Sequence, residues 1–201
     1  MSGALIGDVR HRQLDDALAH HPDIASLIVG VNDTMRSTWD TGRIRAELLE
    51  SADALAATGA LLLTVRFHDQ GLVLGLPAVL RRPLWQRIEI LNDAYREVHA
   101  TYGGIQLDMA GHPASRDREF WAVDRMHLSE LGHRALARAF AEQLPTYGVE
   151  TGMPSADCEG GYEPTWRSDL TWVVTEVAPW LGRRARDLGP WAARRAVANL
   201  R

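Results

Sequence analysis

An aspartate three residues ahead of a histidine, in Asp124-Arg125-Met126-His127-Leu128, is the part of this chain best equipped for chemistry. Histidine exchanges protons near neutral pH and can therefore serve as a general base. A carboxylate on its other ring nitrogen fixes the tautomer and stabilises the imidazolium that forms. The Asp-x-x-His spacing lets both side chains meet within one loop. A second group, Gly30-Val31-Asn32-Asp33, stands where an apolar run ends. An asparagine amide at such a place can donate to a developing oxyanion. Base, orienting acid and oxyanion donor are most of the equipment for acyl transfer through a nucleophile. What the chain lacks is an obvious serine.

Each group also has a plainer explanation. An aspartate beside a surface histidine can simply cap a turn, and Gly-x-Asn-Asp after a strand is good turn chemistry in itself. Their order, with the asparagine first and the Asp–His pair near the end, favours the chemical reading. Zinc or iron on Asp124, His127 and His133 is not expected. The two histidines are six residues apart and would face nearly opposite sides of one helix. His11, His20, His21, His68, His99 and His112 offer no better ligand spacing, and most are expected to be solvated or locally hydrogen-bonded.

These residues need elements to position them. Residues 24–31 and 60–67 are short apolar runs rich in β-branched or aliphatic side chains, and 104–108 is a weaker one, so three strands are expected. Near-continuous hydrophobicity suits parallel strands covered on both faces. Between them, Ile44, Leu48, Ala52 and Leu55 share a helical face that Gly59 would end. Leu84, Ile88, Leu91, Tyr95 and Val98 share another, with Pro83 suited to a first helical position. After His127, Leu131, Ala135, Leu136, Ala139 and Phe140 form a third, with Ser129 as its cap and Glu130 in its first turn. Alternating strands and helices predict an open α/β sheet with helices on both sides, and such sheets carry their sites at the carboxyl ends of the strands. Asn32 and Asp108 fall at such ends.

The 201 residues suffice for one domain with a sizeable core. A net charge of −4 gives no global reason to expect a nucleic-acid partner. All 22 basic residues are arginine, which with the high alanine and glycine content points to a GC-rich genome rather than to chemistry. The single Cys158 excludes an internal disulfide and reads as an incidental thiol. No run approaches the ~20 apolar residues of a membrane span. Met1-Ser2-Gly3-Ala4 opens without a signal-peptide pattern, so the expected location is cytoplasmic, provided the start is correctly placed. Nothing in the sequence sets an oligomeric state.

A domain over residues 1–144 is therefore expected, then a Gly/Pro-rich loop at 145–167 and a helical C-terminal extension at 168–201. The extension repeats Pro179-Trp180-Leu181-Gly182-Arg183-Arg184 as Pro190-Trp191-Ala192-Ala193-Arg194-Arg195. From 179 onward it carries six arginines against one aspartate. Tryptophans packed on the domain with arginines in solvent account for this; a weak contact with an anionic membrane surface is the sharper alternative.

With these blocks in place, the chain resembles the SGNH (GDSL-type) serine esterase and lipase family. Gly30-Val31-Asn32-Asp33 matches its third block and Asp124-Arg125-Met126-His127-Leu128 its fifth. Ser129-Glu130-Leu131-Gly132-His133 and Leu91-Asn92-Asp93-Ala94-Tyr95 resemble the family's usual surroundings, and Ser2-Gly3-Ala4 the end of its second block. The resemblance spans about residues 2–144. It implies a three-layer α/β/α fold with a parallel, flavodoxin-like sheet, a small-molecule acyl ester as substrate and no cofactor. It also implies His127 as base, Asp124 as its partner, and Asn32 with the Gly3 backbone N–H as the oxyanion hole.

The family's nucleophile lies in a Gly-Asp-Ser segment ending the first strand, upstream of all these blocks. Gly7-Asp8-Val9 has valine where the serine belongs and lies too close to Gly30. Ser2 belongs to the second block. The expectation is thus a hydrolase whose first strand and nucleophilic serine lie ahead of Met1, the start having been placed late. The alternative is an inactive relative that uses the same cleft as a ligand-binding module.

Overall fold

The computed structural model describes residues 3–158. The expected extension at 168–201 lies outside the described residues. Three parallel strands, β1 (Ile24–Ser26), β2 (Leu61–Arg66) and β3 (Ile105–Asp108), form one sheet in the order β1-β2-β3. The register pairs Ile24 with Leu61 and Leu63 with Ile105.

The helices in chain order are α1 (Ile6–Asp8), continued by a π turn (Val9–Gln13) into α2 (Leu14–Ala19); α3 (Val31–Thr34); α4 (Thr41–Ala57); α5 (Gln70–Val73); α6 (Ala78–Tyr102); and α7 (Glu130–Gln143). Helix α4 joins β1 to β2 and α6 joins β2 to β3. Right-handed crossovers that step in one direction across a sheet leave their helices on one face. The two accordingly pack on each other and on β2, whereas α7 packs against β3. The architecture is the three-layer α/β/α arrangement that the strand and helix order implied.

The predicted faces of α4 and α6 are the buried ones: Ile44, Leu48, Ala52 and Leu55, then Leu84, Ile88, Leu91, Tyr95 and Val98. Three expectations are corrected. Pro83 is not the first residue of its helix, because α6 starts at Ala78 after Pro77 and simply contains Pro83. In α7 the stripe is only partly covered: Phe140 is buried but Leu131 is 39% exposed, because the first turn faces outward beside the loop that precedes it. Residues 24–31 are not a strand buried throughout. Only Ile24–Ser26 is regular, and Ala25 and Leu27 are buried while Ser26 and Ile28 are exposed. Among the described residues β1 pairs with β2 alone, so its outer edge and part of one face have no cover.

Helix α6 holds the carboxyl ends of β1 and β2 through side chains. Asn92, fully buried, accepts from the Phe67 N–H (2.8 Å) and donates to the Phe67 carbonyl (3.0 Å) just beyond β2. Tyr95 makes the same pair of bonds to Val29 beyond β1, accepting from its N–H and donating to its carbonyl, both at 2.9 Å. Arg87 donates to the carbonyls of Thr34 and Arg36 and lies over the Trp39 ring. These bonds satisfy peptide groups that the sheet no longer pairs. Gly30, next in line, has φ +113°, and an added Cβ would come within 2.7 Å of Leu91. Only glycine suits that position.

Leaving a buried peptide group unpaired costs about 1–3 kcal/mol. Asn92→Ala, which strands both groups of Phe67, is expected to destabilise the domain by roughly 2–5 kcal/mol. Urea unfolding followed by circular dichroism should show a lower midpoint with an unchanged slope. Tyr95→Phe should cost less, because the ring and its packing remain. A change in Asn92→Ala below about 0.5 kcal/mol, the usual range for surface substitutions, would remove this role.

Candidate active site

Because the three strands are parallel, the loops following them emerge at one edge of the sheet; Asn32, Asp124 and His127 lie in those loops or just beyond, whereas Gly3 precedes α1. After β1 the chain turns at Gly30 into the short helix α3, which carries Asn32 and Asp33. The Asn32 amide donates to the Ala4 carbonyl (3.2 Å). Its nitrogen bears two hydrogens, so this bond orients the amide and leaves one N–H for another acceptor. The Asp33 carboxylate accepts from the Ile6 N–H at 3.1 Å. This pair of contacts draws the segment containing Gly3 against the end of β1.

The loop after β3 is built differently. A 3-10 turn at Arg118–Phe120 leads to an isolated antiparallel bridge between Trp121 and Leu128. Ala122 N–H donates to the His127 carbonyl (2.9 Å), and Ser129 N–H to the Phe120 carbonyl (3.0 Å). Within this small closed turn, Asp124 Oδ1 accepts from the N–H groups of Met126 (2.9 Å) and His127 (3.0 Å). Its Oδ2 meets His127 Nδ1 at 2.6 Å. Burial raises the Asp124 carboxyl, but the hydrogen bonds from the His127 backbone, its ring and the Met126 N–H outweigh that and hold it below the usual carboxylate range. It is thus ionised wherever the histidine could act as a base.

His127 is exposed, and its Nε2 has no hydrogen-bond partner among the described residues. Ser129 caps α7 by accepting from the Gly132 N–H (3.1 Å), as its position implied, and donates to the Glu119 carbonyl. Gly132 is pressed against this loop so closely that a Cβ would lie 2.3 Å from the Phe120 carbonyl oxygen.

The chain thus brings Asp124 to His127, and Asn32 to the residue after Gly3. No hydrogen bond joins these two pairs among the described residues. Gln70, which sequence reasoning passed over, and His68, which it weighed only as a metal ligand, lie beside the site. Gln70, 1% exposed, donates to the Arg125 carbonyl (2.5 Å) and its Oε1 lies 2.8 Å from His68 Nε2. His68 is buried against Trp121, with ring centroids 4.3 Å apart, and that burial lowers its pKa, so it is neutral. The loop after β2 therefore supports the loop after β3 exactly where the Asp-x-x-His motif turns, at Arg125, whose φ is +53°.

A family model described as the GDSL-like lipase/acylhydrolase family matches residues 1–135. The chain belongs to this family. It is also 24% identical over 159 residues to an acetylxylan esterase of Geobacillus stearothermophilus, an alignment covering 72% of this chain and 69% of that protein. No solved structure matches the chain. Family membership and the esterase relative place this GDSL-like chain among hydrolases of ester bonds.

Burial raises the Asp33 carboxyl to about 6, against the lowering effect of the Ile6 N–H. An acid whose pKa is higher folded than unfolded binds its proton more tightly in the native state, so stability falls as pH rises between the two values. Asp33 is expected to lower stability between about pH 4 and pH 6, by at most about 3 kcal/mol at 1.36 kcal/mol per unit. Asp33→Asn keeps an acceptor for Ile6. It should flatten that part of the pH profile and raise the melting temperature at pH 7; an unchanged profile would contradict the assignment.

Proposed function

We propose that this chain provides the acid–base and oxyanion half of a serine esterase acting on small acyl esters. The observation that carries the proposal is the Asp124–His127 pair, with Nδ1 engaged by the carboxylate and Nε2 open. In this reading Nε2 takes the proton of a serine hydroxyl as its oxygen attacks the ester carbonyl. It then delivers that proton to the leaving alcohol, giving an acyl-serine. Water, deprotonated by the same nitrogen, releases the acid and restores the serine. Asp124 holds the tautomer and stabilises the imidazolium throughout. The second Asn32 N–H and the Gly3 backbone N–H receive the oxyanion, a contribution of about 3 kcal/mol per donor.

The nucleophile in this proposal is not one of the described serines. None of them is hydrogen-bonded to His127, and Ser129 and Ser51 are committed to backbone carbonyls. It is instead the serine of a Gly-Asp-Ser strand end preceding residue 1. The open edge of β1 and the exposed Ile28 are consistent with a sheet that continues past β1.

Expression from in-frame codons upstream of Met1 tests the reading. With a Gly-Asp-Ser strand present, a serine-directed phosphonate should label the protein stoichiometrically, and activated esters should turn over. His127→Ala should then lower kcat by on the order of 10³-fold or more, and Asn32→Ala by on the order of 10²–10³-fold. The 201-residue chain should show neither labelling nor an acyl burst. Labelling of that chain, or turnover indifferent to His127→Ala, would contradict the proposal.

A further inference from the structure

A cleft of about 980 Å³ is not lined by His127 but reaches the catalytic loop at Arg125. Its lining is strongly one-sided in charge. Among the described residues its lining holds Arg81, Arg82, Arg116, Arg118 and Arg125 with one carboxylate, Asp69, in a chain whose overall charge is −4. Three separate segments deliver them: the first turns of α6, the 3-10 turns after β3, and the Asp-x-x-His motif itself. Arg81 is taken by Asp69 at 2.7 Å, and Arg118 donates to the carbonyls of Trp121 and Ala122. Arg82, Arg116 and Arg125 make no side-chain hydrogen bond or ion pair among the described residues.

Arg125 is held in place at some cost. Its left-handed backbone is one that L residues rarely adopt, and buried Gln70 fixes it through the carbonyl. Guanidinium groups such as those of Arg82, Arg116 and Arg125, gathered in excess of the carboxylates beside them, repel one another, and a bound oxyanion turns that repulsion into charge-assisted hydrogen bonds. A monovalent carboxylate would leave most of this charge uncompensated; a phosphoryl group suits it better. The remaining walls include Leu72, Val73, Trp85 and Trp121, an apolar surface for the rest of a ligand.

We infer that the cleft binds the phosphoryl group of the substrate, which is an acyl ester of a phosphorylated alcohol. The ester part of this assignment rests on the esterase reading above; the phosphoryl part rests on the cleft alone. Arg125 links the two, since it lies between Asp124 and His127 in the chain and lines the cleft.

Isothermal titration of the 201-residue chain tests the inference by binding, without turnover. The ligands are 1-butyrylglycerol 3-phosphate, its unphosphorylated counterpart monobutyrin, and inorganic phosphate. The phosphorylated ester is expected to bind at least about tenfold more tightly than monobutyrin, with an affinity that falls as salt rises, as screened charge interactions do. Arg82→Ser with Arg116→Ser, both at exposed positions, should abolish most of that preference, and Arg125→Gln should reduce it. Equal affinity for the two esters would overturn the inference, as would a preference that survives these substitutions. Inorganic phosphate binding as tightly as the phosphorylated ester would also overturn it, marking a site for the free ion. An extended, active esterase without the preference would sink this inference alone, whereas phosphoryl-dependent binding without any esterase activity would sink the hydrolase reading and leave the anion site.

Discussion

The arrangement depends most on the hydrogen bonds that α6 makes to the chain just beyond β1 and β2. Asn92 closes both peptide groups of Phe67 and Tyr95 both of Val29, from positions that neither solvent nor the sheet reaches. A parallel sheet ends in unpaired N–H and C=O groups, and burying them without partners would cost several kcal/mol in all. By satisfying them from one helix, the fold closes its core and sets where the next loops begin. Arg87, on the same helix, extends this control to the turn after α3. The turn that carries Asn32 inherits its position from these bonds.

The Asp124–His127 pair is by contrast largely self-organised. One carboxylate accepts from two backbone N–H groups with one oxygen and from the imidazole with the other, inside a turn closed by the Trp121–Leu128 bridge. Its orientation therefore needs little from the rest of the protein. What the rest supplies is placement. Gln70 holds the turn from one side, and the tight approach of Gly132 to Phe120 docks α7 on the other. Asn32 is held independently, through Ala4, which makes it and the Asp124–His127 pair two units assembled on separate loops.

Much of this was legible in the sequence, for physical reasons that differ by element. The strand and helix order and the buried faces of α4 and α6 followed from periodicity, because burial selects residue type. Ser129 could be read as a cap because capping is a local event. The Asp-x-x-His contact was legible for the same reason. Helical residues from Ile6 to Ala19 were not anticipated: their apolar positions are few and a π turn shifts their phase. The start of α6 was misplaced because Pro83 has the chemistry of a first turn and yet is accommodated further in. Gln70 carried no signal at all, and His68 none for its place beside this loop. A buried glutamine that ties two loops together is defined by tertiary contact, and neither its neighbours nor its spacing reveals it.

The central claim is that Asp124 holds His127 with Nδ1 protonated and Nε2 free to act as base. Nitrogen-15 NMR of the neutral imidazole measures this directly in the 201-residue chain. The expected spectrum has a protonated Nδ1 and an Nε2 at the shift of an unprotonated nitrogen. Asp124→Asn should convert it to the mixed tautomers of a free imidazole. Protonation at Nε2 in the unsubstituted protein, or a spectrum indifferent to Asp124→Asn, would contradict the account.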